Sequence, residues 1–152
     1  MIHIVDDDAL LIRVLADLAE GFCYKTRQFT TPQAYLDFAA SAGYTPPKAV
    51  FADVMMPDMD GFELMHRVHA MHPDVRFIIM SGKGHSIPED RREACVYLVK
   101  PFRFAKLEKT FCHLRTCREC GPTDALVNAW PDDRERYDSI PYTCPFTDED
   151  DA

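Results

Sequence analysis

The residues able to do chemistry in this 152-residue chain are few and widely spaced. Asp6-Asp7-Asp8, Asp53, Ser81 and Lys100 each stand at, or just after, the end of a short apolar run. Carboxylates brought close together repel one another unless a cation joins them. Donors that are all oxygen favour a hard divalent ion, and Mg²⁺ commonly takes a few carboxylates while keeping several waters. Beside such an ion a carboxylate can attack phosphorus and become an acyl phosphate. A lysine and a hydroxyl nearby would hold the remaining phosphoryl oxygens. These residue types therefore suit phosphoryl transfer to an aspartate, provided that the fold gathers four distant segments.

The apolar pattern says how it could. Compact apolar or alternating runs at residues 1–5, 24–29, 48–53, 75–80 and 96–99 predict strands. Between them lie amphipathic stretches. Leu11, Val14, Leu15 and Leu18 recur at helical spacing within 9–22, where Gly21 offers a stop. Thr31 and Pro32 open a helix over 31–42 as cap and first-turn residue. Residues 56–61 are turn chemistry, followed by a helix over 62–71. A short helix is predicted over 88–94, and a long one over 104–120 on Phe104, Leu107, Phe111 and Leu114. Five strand–helix pairs with continuously apolar strands predict an α/β fold. It is a doubly wound five-stranded parallel sheet with helices on both faces. Ligands of such sheets bind outside the carboxyl ends of the strands, where Asp6, Asp53, Ser81 and Lys100 fall.

Composition narrows the possibilities. A hydrophobic share of 47% suffices for one buried core. No apolar run is long enough to span a membrane, and the chain opens directly into Ile2-His3-Ile4-Val5-Asp6, so a soluble cytoplasmic protein is expected. Residues 1–120 hold 15 Lys+Arg against 16 Asp+Glu, whereas 121–152 hold 2 against 9. The net charge of −8 thus belongs mainly to an acidic C-terminal tail. No basic stripe points to direct nucleic-acid binding, and the tail would repel phosphates. A domain boundary is expected near Gly121-Pro122, giving a domain over 1–120 and a Pro-containing tail over 121–152, partly packed or disordered.

Of six cysteines, Cys23 and Cys95 stand singly, and Cys112, Cys117, Cys120 and Cys144 crowd the C-terminal part. Reduced thiols are the favoured reading over a disulfide framework. His113, Cys117 and Cys120 share one side of the last helix, and Cys144 could complete a Cys₃His zinc site. The spacing matches no standard zinc finger. A Cys120–Cys144 disulfide is the other alternative.

Four motifs in order carry a family resemblance: Val5-Asp6-Asp7-Asp8, the run from Asp53 through Met55-Met56-Pro57-Asp58-Met59-Asp60-Gly61, Met80-Ser81-Gly82, and Tyr97-Leu98-Val99-Lys100-Pro101-Phe102. Each is weak alone, and together they are specific. Over about residues 1–118 the chain resembles the receiver domain of two-component response regulators, the single-domain, chemotaxis-regulator kind, on a flavodoxin-like fold. The resemblance implies that Asp53 is the phosphoacceptor. Asp7 and Asp53 would bind Mg²⁺, with Asp6 binding it directly or through water and Met55 through its backbone carbonyl. Ser81 and Lys100 would meet the phosphoryl group, and Ser81 and Tyr97 would form the switch. A cis Lys100-Pro101 bond is also implied. The chain would catalyse only its own phosphorylation and dephosphorylation. Its partners would be a sensor histidine kinase or phosphotransfer protein and a downstream protein target, with a homodimer possible.

Plainer roles compete for some of these residues. A helix cap is favoured over metal binding for Asp8, turn formation for Asp58 and Asp60, and solvation over phosphoryl contact for Lys83. The stretch from Ser81 to Lys100 is shorter than usual by roughly one helical turn, which puts the usual dimer mode in doubt. A phosphorylation-independent interaction module is disfavoured by the retained acids and lysine. A metal-dependent phosphohydrolase is disfavoured because Met55 stands where an Asp-x-Asp pair needs its second acid.

Overall fold

Strand periodicity sends alternate side chains to opposite faces, so a strand buried throughout must be covered on both sides. The computed structural model, which describes residues 1–82 and 94–116, meets that condition. Its elements run β1 Ile2–Val5, α1 Ala9–Gly21, β2 Thr26–Phe29, α2 Pro32–Ala39, β3 Ala49–Asp53, α3 Gly61–Met71, β4 Phe77–Gly82, β5 Val96–Lys100 and α4 Phe104–Thr116. The strands form one parallel sheet in the order β2-β1-β3-β4-β5. Every residue of β1 and β3 is buried, whereas the edge strand β2 is half-exposed.

The two faces divide the core. Ile2, Ile4, Phe51, Ile78 and Leu98 pack with Ile12 and Leu15 of α1 and Phe111 of α4. Val5, Val50, Ala52 and Ile79 pack with Tyr35 of α2 and Phe62, Met65 and Val68 of α3. Burying a large aliphatic or aromatic side chain stabilises by about 1.5–3 kcal/mol, so these layers hold the sheet rigid beneath its loops.

Several element boundaries depart from the sequence expectation, each for a hydrogen-bonding reason. The strand expected from residue 24 begins at Thr26, because Cys23 N–H donates to Glu20 O at 2.8 Å and Tyr24 N–H to Ala19 O at 2.9 Å. Those bonds close the end of α1, with Cys23 at φ 65°. The helix expected over 31–42 stops at Ala39, where the Ser41 hydroxyl donates to Phe38 O at 2.7 Å. The strand expected over 75–80 runs instead over Phe77–Gly82, since Ser81 and Gly82 continue the pairing with Val99 and Lys100. Of the helix expected over 88–94 only Ala94 lies within the described residues; it is buried and non-helical, and leads into β5. Residues 117–120 of the last expected helix, and the 121–152 tail, lie outside them too. No helix among the described residues is long and apolar enough to cross a membrane.

Candidate functional site

The site arises where the strand order reverses. β1 pairs with β2 on one side and with β3 on the other, so the connections leaving β1 and β3 turn opposite ways and leave a crevice at the strands' carboxyl ends. Asp6 directly follows β1, and Asp53 is the last residue of β3. Both are buried, at 0% and 4% exposure, while Asp7 is exposed. Carboxylate oxygens of Asp6, Asp7 and Asp53 lie within 4.8 Å of one another.

Lys100, the last residue of β5, reaches over β4 to this group. Its Nζ donates to Asp6 Oδ2 at 2.7 Å and stands 2.9 Å from Asp53 Oδ1. Burial works against the lysine's charge, but the hydrogen bonds and charges of Asp6 and Asp53 outweigh it and raise the pKa. Burial likewise raises the Asp53 pKa, helped by the charge of Asp6 and opposed by Lys100 and by the Met55 N–H. Two carboxylates thus share one ammonium and a third stands beside them, a donor set that retains appetite for a further cation.

Local structure orients each acid. Asp6 Oδ1 accepts from Asp8 N–H at 2.9 Å, so both of its oxygens are engaged. Asp8 caps α1, its Oδ1 accepting from Leu10 N–H at 2.9 Å and Leu11 N–H at 3.2 Å, which places it in the helix rather than in the acid cluster. Asp53 Oδ2 accepts from Met55 N–H at 3.1 Å. Beyond it Met56 and Met59 are buried as anchors, Asp58 takes φ 68°, and Asp60 caps α3 by accepting from Glu63 N–H at 2.8 Å. Asp58 thus does the turn work expected of it, whereas Asp60, also expected in a turn, caps α3.

The structure puts Ser81, buried, one residue past the partner of Asp53 on the neighbouring strand. Tyr97 is half-buried on the α2–α3 face, its ring 6.4 Å from that of Phe62. The Lys100-Pro101 peptide is cis. Lys83 lies outside the described residues. Of the zinc set only His113 is described, so that grouping is not represented; Cys23, Cys95 and Cys112 are thiols outside any disulfide. One contact escaped the sequence reading, which gave Gly61 to turn chemistry alone: the glycine lies directly against the Asp53 carbonyl. Only the spacing of Gly61 from Asp53 hinted at it.

Comparison with known proteins bears on the family and the fold. Residues 2–111 match the sequence model of a family described as response regulator receiver domain. The chain is 32% identical over 115 residues to the two-component response regulator ARR10 of Arabidopsis thaliana, covering 72% of this chain and 20% of that protein. It is 30% identical over 109 residues to the transcriptional regulatory protein FixJ of Bradyrhizobium diazoefficiens, covering 70% and 52%. The chain therefore spans between a fifth and about half of these relatives. Among solved structures, the receiver domain of NtrX from Brucella abortus superposes with a TM-score of 0.65 at 23% identity, covering 75% of this chain and 97% of that one. The structure of FixJ-N gives 0.63 at 22% identity, covering 74% and 90%. Both structural likenesses speak for the fold alone.

Proposed function

Because the chain belongs to the response regulator receiver domain family of two-component systems, we propose that it is a signalling switch that accepts a phosphoryl group on Asp53 from a histidine kinase or phosphotransfer protein. The observation that carries this reading is the pairing of Lys100 with Asp53 at 2.9 Å and with Asp6 at 2.7 Å at the strand-order reversal. An oxygen of Asp53 attacks phosphorus, the donor's bond to phosphorus breaks, and an acyl phosphate remains on the aspartate. Lys100 then follows the negative charge onto the phosphoryl oxygens, the arrangement of a preplaced cation aimed at developing charge.

The mutual approach of Asp6, Asp7 and Asp53 fits an oxygen-bound divalent cation. Asp7, Asp53 and the Met55 carbonyl would hold Mg²⁺, with Asp6 directly or through water. Bound there, the ion would neutralise phosphoryl oxygens. Asp6 contributes in a second way, since its buried charge keeps Lys100 protonated and extended over β4.

Signalling follows from a local equilibrium. Ser81 moves toward the phosphoryl group and Tyr97 turns into the space released, changing a face that a downstream protein reads. A few kcal/mol of differential interaction moves such a population substantially. The receiver unit occupies residues 1–120, with the acidic 121–152 segment as an appendage. Its catalysis is confined to its own phosphorylation and dephosphorylation, in a cytoplasmic setting.

The test is incubation with a low-molecular-weight acyl phosphate and Mg²⁺, followed by intact-mass measurement. The wild type gains one phosphoryl group, and chelating Mg²⁺ or substituting Asp53→Asn abolishes the gain. An undiminished gain in Asp53→Asn would sink the assignment.

A further inference from the structure

The connection from Asp53 to α3 is short, and its far end returns to its beginning. Gly61 N–H donates to Val54 O at 3.2 Å, and Val54 N–H donates to Met80 O at 2.8 Å. The Asp53–Val54 peptide is thus held by β4 through Val54 N–H, and the next peptide, Val54–Met55, by the first residue of α3 through Val54 O. A Cβ built on Gly61 would lie 2.2 Å from the Asp53 carbonyl oxygen, 2.9 Å from its carbonyl carbon and 3.3 Å from Val54 Cα. All three atoms are backbone, so no flexible side chain can yield. Any side chain at this position must push α3 and the Asp53–Val54 peptide apart by about 1 Å to reach ordinary contact. The glycine is required by close approach, the role in which a missing Cβ matters most.

The remainder of the connection resists such a shift. Met56 and Met59 are sunk in the α2–α3 core, each 8% exposed. Asp60 fixes the first turn of α3 through Glu63 N–H. The strain would therefore fall on the Asp53 peptide and on its neighbour Met55, whose N–H holds Asp53 Oδ2.

We propose that Gly61 is a positioning residue for phosphoryl transfer: its bare α-carbon lets the start of α3 seat the Asp53 peptide and so aim the carboxylate between Lys100 and the Met55 amide. The inference rests on the reading of Asp53 as phosphoacceptor. A misplacement near 1 Å at a reacting group can slow a reaction by roughly 100-fold even when the altered residue does no chemistry.

The experiment compares wild type, Gly61→Ala, Asp60→Ala and Val68→Ala. Val68 is a buried residue of the same helix, and its truncation weakens α3 packing without touching Asp53. Three quantities are measured: thermal unfolding, the initial phosphorylation rate across acyl phosphate concentrations with Mg²⁺, and amide ¹H–¹⁵N spectra. Gly61→Ala is expected to lower the saturating rate roughly 10- to 100-fold with little change in the half-saturating donor concentration. It should also shift the Val54 and Met55 amides. Val68→Ala is expected to melt earlier while its folded form reacts within twofold of wild type. Asp60→Ala, which loosens the seat without adding an atom, should fall between them, and it decides the matter if Gly61→Ala does not fold. A wild-type rate in folded Gly61→Ala overturns the proposal, as does an equal slowing by Val68→Ala. A wild-type rate in Asp60→Ala overturns it in the case where Gly61→Ala is unfolded. Failure of the wild type itself to be phosphorylated overturns the phosphoacceptor reading instead.

Discussion

Lys100 Nζ donates to Asp6 Oδ2 at 2.7 Å, although 94 positions separate the two residues in sequence and two whole strands, β3 and β4, lie between their own. The contact gives a buried carboxylate its counter-charge and at the same time parks the ammonium beside Asp53. One lysine thus serves the stability of the resting state and, on the proposed reading, the chemistry of the phosphorylated one.

That double service shapes the outcome of Lys100→Ala. The substitution leaves an oxygen of fully buried Asp6 without its donor, at a cost of about 1–3 kcal/mol. Because the lysine is partly open to solvent, water takes over some of the role and the lower end applies. The folded variant should still be phosphorylated, at least tenfold more slowly, and should lose the change in Tyr97 environment that phosphorylation brings. Thermal melting and Tyr97 side-chain NMR, before and after acyl phosphate, separate the two effects. A collapse of the fold with no separable signalling defect would contradict this account.

Asp7 offers a test of the metal assignment that needs no turnover. It is exposed, and its carboxylate stands within 4.8 Å of those of Asp6 and Asp53, so Asp7→Asn should leave the melting temperature in metal-free buffer unchanged or raised as repulsion is relieved. Mg²⁺ at 100 times its dissociation constant should stabilise the wild type by about 2.7 kcal/mol through mass action. Asp7→Asn should lose most of that gain. Thermal melts with and without Mg²⁺ check it, and an equal Mg²⁺ shift in both proteins would remove Asp7 from the ligand set.

His3 supplies a pH dependence away from the site. It is fully buried on β1 among Phe29, Tyr35, Phe38 and Tyr44, with Nδ1 3.2 Å from the Tyr35 hydroxyl and Nε2 lacking a hydrogen-bond partner among the described residues. Burial, aided by the nearby Arg27 charge and the N-terminus, lowers its pKa from 6.5 to about 4. The unfolded chain therefore binds this proton more readily than the folded one. Stability from His3 is complete above pH 6.5 and is lost as the pH falls toward 4, by up to about 3 kcal/mol. Denaturant unfolding of wild type and His3→Phe from about pH 7.5, above the window, down to about pH 4.5, near its lower end, should diverge in that sense. Parallel pH profiles would show that His3 stays neutral in both states.

Much of this protein was legible in its sequence, because the physics involved is local. Apolar runs ending in Asp6, Asp53, Ser81 and Lys100 announce buried parallel strands whose polar ends share one edge of a sheet. Asp8 and Thr31 announce helix starts, since each side chain accepts from the N–H groups of the turn that follows. The ends of elements were less legible. Ser81 and Gly82 join β4 only because β5 supplies partners for them, and Tyr24 is withheld from β2 because the end of α1 has already taken its N–H group.

What the tertiary structure alone decided are the distances. Periodicity places side chains on a face but is blind to strand order, and it is the order β2-β1-β3-β4-β5 that sets Asp6 beside Asp53 and obliges Lys100 to reach across β4. The role of Gly61 is of the same kind. Its letter in the sequence is compatible with any turn, whereas the 2.2 Å between its absent Cβ and the Asp53 oxygen exists only once α3 has folded back onto β3. Sequence determined which groups this protein could bring to phosphoryl chemistry; packing determined how they face one another, because contacts between distant residues are set by the whole sheet and not by any one segment of it.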